Sequence, residues 1–115
     1  MRSCAAAAET RCWACSVRVE RVHGGSGGLS AFDVYETAVE VVESLRGPFA
    51  LADVWALTRR RLRNRDLGKR ALSYLGVVAH TYARYALHDM AAHGLVRCAR
   101  RDSRGARCLQ WEVAS

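Results

Sequence analysis

The chain has one lysine, Lys69, two carboxamides, Asn64 and Gln110, and no isoleucine, while valine, alanine, leucine and arginine abound. This skew has the form of codon usage in a GC-rich genome, so the preference for arginine over lysine says little by itself about phosphate binding. No apolar run approaches the ~18 residues of a membrane-spanning helix, and Cys4 to Ala8 is too short to be the apolar core of a signal peptide. There is no glycine-rich phosphate loop, and no Ser/His/Asp or Cys/His constellation has local support, so neither catalysis nor a small-molecule substrate or cofactor is expected. A length of 115 residues leaves room for one domain and one core, which excludes a multidomain enzyme. The expectation is a soluble cytoplasmic protein with no membrane partner.

What the sequence does have is positive charge, unevenly placed. Half the residues are hydrophobic and a quarter charged, the composition of a chain that folds. Eighteen basic residues against eleven acidic ones leave a net charge of +7. Residues 1–28 carry +2, residues 29–58 carry −4, and residues 59–107 set thirteen basic side chains against Asp66, Asp89 and Asp102 for +10. An even spread would read as ordinary solubility. This one reads as an oriented molecule with a phosphate-facing side.

His23 to Gly28 has the composition of a flexible linker, so residues 1–28 are expected to be a poorly ordered tail and residues 29–115 the folded domain. The alternatives for the tail are one docked strand, a bound metal, or a translated leader. Ser30 followed by Asp33 gives a capping box for a first helix over about 31–46, with Val34, Tyr35, Ala38, Val41, Val42 and Leu45 at helical spacing and Gly47-Pro48 as its stop. Phe49 to Leu51 reads as a short extended piece, and residues 52–62 as a second helix with Val54, Trp55, Leu57 and Leu62 as its apolar positions. From Lys69 to His93 the positions Leu72, Leu75, Ala79, Ala83, Ala86/Leu87 and Met90 keep a 3.6-residue period, as one helix or as two broken at Gly76-Val77-Val78. Gly94 suits a helix end, with Leu95 placed for the accompanying hydrophobic contact. Leu95 to Arg101 and Ala106 to Val113 then flank the turn-rich Asp102-Ser103-Arg104-Gly105 as a hairpin.

This order, and above all the run from Tyr82 to Val96 with Leu87 and Met90 before Gly94-Leu95-Val96, resembles the winged helix-turn-helix DNA-binding family; Gly105 to Trp111 resembles its returning wing strand. The resemblance covers about residues 31–114. It implies a mainly α fold with a small β-hairpin wing, an α+β class, and a recognition helix at about 79–93. One departure is that some sixteen residues, Arg63 to Val78, precede the matched stretch where the family has a tight turn, which suggests a recognition helix extended at its start.

The residues point to the same surface independently. With the apolar positions inward, His80, Thr81, Arg84, Tyr85 and His88 face outward, and Arg100, Arg101, Arg104 and Arg107 surround the hairpin tip. Arg59, Arg60, Arg63, Arg65, Lys69 and Arg70 are secondary phosphate contacts in this reading, although Arg59 to Arg61 also complement the dipole of the second helix at its carboxyl end. The expected partner is double-stranded DNA, for a transcriptional regulator or nucleoid-associated factor, with a homodimer left open. An RNA- or ribosome-associated winged helix would use the same arginines, and an adaptor would instead dock a basic partner on the acidic first helix and Trp55.

Cys4, Cys12, Cys15 and His23 supply four zinc ligands by type, but a single CxxC in a tail is read as unbound thiols, so no metal is expected. Regular alternation places Cys98 opposite Leu109 and Cys108 on the other face beside Ala99, which argues against a bridge between Cys98 and Cys108.

Overall fold

The computed structural model describes residues 25, 26 and 28–114. The tail cysteines Cys4, Cys12 and Cys15 and His23 lie outside the described residues. The order is a two-residue hairpin of β1 (Gly25–Ser26) and β2 (Leu29–Ser30), the helices α1 (Ala31–Ser44), α2 (Leu51–Arg63) and α3 (Lys69–Ala92), and a hairpin of β3 (Val96–Arg101) and β4 (Cys108–Val113). The class is α+β, mainly helical. Part of the glycine-rich run thus pairs with the start of the domain, and Leu29 is buried under α3.

Both ends of α1 follow from local chemistry. Ser30 Oγ accepts from the Asp33 N–H at 3.0 Å while Asp33 Oδ2 accepts from the Ser30 N–H at 2.8 Å, the reciprocal capping box. The chain then leaves the helix before Gly47-Pro48. At Phe49 the extended piece exchanges two backbone hydrogen bonds with Trp111, 2.8 Å from the Phe49 N–H and 2.7 Å from the Trp111 N–H, and becomes a one-residue third strand beside β4. Asp53 Oδ2 accepts from the Ala50 N–H at 2.9 Å and so starts α2.

Only Asn64 to Gly68 separate α2 from α3, because α3 runs unbroken through Gly76-Val77-Val78. Most of the stretch from Arg63 to Val78 is therefore helix. Helix α3 ends in a Schellman motif: the Leu95 N–H donates to the Met90 carbonyl at 2.8 Å, the Gly94 N–H donates to the Ala91 carbonyl at 3.0 Å, and Gly94 takes φ +74°, which a side chain would resist. Leu95 does not make the expected buried contact, being 41% exposed; Val96 takes the core position.

The core lies between the helices and one side of the β3/β4 hairpin. Val34, Tyr35, Ala38, Val41 and Val42 of α1 and Val54 and Leu62 of α2 are buried as their spacing requires. On α3 the inward stripe is Ala71, Leu75, Ala79, Ala83, Ala86, Leu87 and Met90. Leu72, expected inside, is 40% exposed, because the buried i+4 ladder Ala71, Leu75, Ala79 and Ala83 turns it outward.

The expectation for the cysteines of the hairpin is overturned. Cys98 and Cys108 are joined in a disulfide, with Cα atoms 5.8 Å apart. Cys98 pairs with Trp111 rather than Leu109, and the register slips at Ala99 on β3 and again at Leu109 on β4. An unpaired residue reverses the alternation of sides, so Arg101 and its partner Cys108 come round to the side of Cys98. The loop then spans 102–107 instead of four residues. Asp102 closes it: Oδ1 accepts from the N–H groups of Arg104 at 3.0 Å and Ala106 at 2.9 Å, and the Asp102 N–H donates to the Arg107 carbonyl at 2.9 Å.

Candidate nucleic-acid interface

The amino end of α2, the second half of α3 and the disulfide face of the β3/β4 hairpin enclose a groove of about 790 Å³. The Phe49–Trp111 pairing draws the three together, since it ties the strand before α2 to β4. The floor is apolar, formed by Leu51, Leu87, Ala91, Val96 and Trp111, and the walls carry Arg84, His88, Arg97, Arg101 and Arg107. Among the described residues no Asp or Glu lines it. Arg97 is the one of these arginines held in an ion pair among the described residues, to Glu112 at 2.7 Å.

Of the residues expected on α3, Arg84 and His88 line this groove; His88 meets the Trp111 ring edge-on, 5.6 Å between centroids. His80 is exposed further back on the helix, its ring 6.4 Å from that of Trp55. Thr81 is half-buried. Tyr85 lies at the surface under the Arg84 guanidinium, 5.8 Å from the ring centroid, and edge-on to Tyr82. Arg101 and Arg107 of the hairpin face the groove, whereas Arg100, on the opposite side of the slipped register, and Arg104 at the tip are exposed but do not line it.

The secondary contacts divide by location. Arg59 lies over Trp55 at 5.4 Å. Arg60, Arg63, Arg65, Lys69 and Arg70 are exposed around the α2–α3 connection, at the other end of α3 from the hairpin. Arg61 serves the fold, donating to Ser44 Oγ at 3.1 Å and so joining α2 to the end of α1. Sequence reasoning missed the apolar floor and Trp111 as part of the site. The only signal was the placement of Trp111 opposite Cys98, which requires the correct register.

Among the described residues no three His, Cys, Asp or Glu side chains are grouped to hold a metal ion, and no helix is long and apolar enough to cross a membrane. Comparison with family models, with characterised proteins and with solved structures finds no match.

Proposed function

We propose that the chain is a winged-helix protein that binds duplex DNA, acting in the cytoplasm as a transcriptional regulator or nucleoid-associated factor. The observation that carries this reading is the groove between α3 and the hairpin, walled by Arg84, His88, Arg101 and Arg107 and lined by no carboxylate among the described residues. Its charge suits a phosphodiester backbone, and counterion release on contact supplies affinity. The order of elements supports the reading. A short strand pairs with the returning hairpin strand, two helices are joined by a brief turn, and the second of them is followed directly by the hairpin. In this arrangement α3 is the recognition helix, the β3/β4 hairpin is the wing, and the arginines around the α2–α3 connection extend the phosphate contacts past the far end of α3.

Fluorescence anisotropy of the full chain with duplex DNA and with duplex RNA, each over a range of salt concentrations, tests it. Duplex DNA is expected to bind with a steep salt dependence, and Arg101→Ala with Arg107→Ala to weaken every sequence alike and flatten the slope by about two. An unchanged slope removes the groove from the interface. Preference for duplex RNA reassigns the protein to an A-form partner.

A further inference from the structure

The middle of α3 holds a feature that folding does not account for. Gly76 and Val77 stand together inside a 24-residue helix, and both are poor helix formers. A Cβ placed on Gly76 would meet nothing within 4 Å among the described residues, so the glycine does not serve the approach of any other described part of the chain. Val77 is 75% exposed, the most exposed of the large hydrophobic side chains among the described residues. Alanine or glutamate at either position would strengthen the helix at no cost to the core. A side chain missing where there is no internal neighbour, beside an apolar group aimed at solvent, fits an external surface that comes close to the helix and carries an apolar group of its own.

The position of Val77 identifies that surface, with Gly76 100° around the helix on its flank. At 100° per residue Arg70, Ser73, Val77, Arg84 and His88 fall on one outward stripe, and all five are exposed. Arg70 and Arg84 lie one heptad to either side of Val77, about 10 Å along the axis in each direction. An antiparallel copy of α3 centred on Val77 would bring Arg70 against Arg84 and be repelled, whereas a polyanion satisfies both. The major groove of duplex DNA admits a helix between two phosphate rails, and the apolar group it displays is the thymine methyl.

We propose that Gly76 and Val77 form the base-reading centre of α3, Val77 packing on a thymine methyl, Gly76 letting the helix sit deep, and Arg70 and Arg84 anchoring it on either side. This rests on the duplex-DNA reading above and moves its base contacts toward the amino half of α3, beyond the 79–93 stretch that the sequence indicates.

The test measures binding of the full chain to two A·T-rich duplexes of one sequence, one made with thymine and one with deoxyuridine, which lacks only the methyl group. The thymine duplex is expected to bind about three- to fivefold tighter, the worth of one buried methyl. Val77→Ser should bind both duplexes equally, as the unaltered chain binds the uracil duplex. Gly76→Leu should raise the melting temperature by a few degrees and yet weaken both duplexes roughly tenfold or more, a pairing that a purely structural role for the glycine would not give. Equal affinity of the unaltered chain for the two duplexes, or a thymine preference that survives in Val77→Ser, overturns the inference and leaves duplex binding standing. Binding of neither duplex overturns it together with the reading on which it rests. Self-association by sedimentation that Gly76→Leu abolishes without changing DNA affinity also overturns it and assigns the stripe to a second copy of the chain.

Discussion

Asp89 points into the core from α3, 5% exposed, and the Tyr35 hydroxyl of α1 donates to its Oδ2 at 2.7 Å. In the sequence Tyr35 is one of several apolar positions on α1 and Asp89 one of the few acids in a basic half. Neither hints at the other across 54 residues, because only packing of α1 on α3 brings them together. A buried polar atom that loses its partner keeps its desolvation cost, so Tyr35→Phe should destabilise the protein by about 1–3 kcal/mol, read by urea unfolding, although the substitution leaves no cavity larger than a hydroxyl. A loss near zero would show that the other interactions of Asp89 suffice. Thr58 makes the same point, since its buried hydroxyl donates to the Val54 carbonyl at 2.8 Å and so satisfies itself within α2. The residues that sequence reasoning placed correctly are those whose environment is set by neighbours three or four positions away: Ser30, Asp33, Gly94 and the inward alanines of α3.

The elements divide along the same line. Helices α1 and α2 were legible because their start and stop signals are local. The continuity of α3 was not, because Gly76-Val77-Val78 weakens a helix in isolation and only the packing of Leu75 and Ala79 against Leu29, Val34 and Leu62 holds it straight through. The hairpin was legible as a hairpin but not in register: alternation alone cannot reveal that Ala99 and Leu109 are unpaired, and the disulfide depends on that slip. Asp102 is what makes the longer loop workable. Partial desolvation pushes its pKa up, but the N–H groups of Ala106, Arg107, Arg104 and Gly105 outweigh this and hold the carboxyl below the usual aspartate range. A pKa depressed in the folded state means that the stabilisation is fully present at neutral pH and is lost as pH falls through the folded value. The amide proton shifts of Arg104 and Ala106 should therefore titrate together, with a midpoint lower than that of an ordinary aspartate, and Asp102→Ala should abolish the titration. A midpoint in the ordinary range would remove Asp102 as the organiser of the hairpin tip.

At the scale of the molecule, the segmental charge of the sequence becomes a division of faces. Glu36, Glu40 and Glu43 recur at helical spacing on the exposed side of α1, a helix that contributes no residue to the groove. The groove and the outward stripe of α3 are basic. In the DNA-binding reading the glutamates touch nothing and act only through the long-range field, turning the basic face toward an approaching polyanion and resisting binding by the other side. Replacing the three by glutamine raises the net charge by three from +7 and breaks no ion pair among the described residues. The association rate with duplex DNA should then rise at low salt, and the gain should fade toward ~0.15 M, where the screening length is about 8 Å. The dissociation rate should stay as it is, since that rate reports contacts made in the complex. Stopped-flow measurement of both rates separates this from the Arg101→Ala, Arg107→Ala pair, which should speed dissociation. A changed dissociation rate in the glutamine variant would mean that α1 itself touches the bound duplex, and the two-faced arrangement would fall.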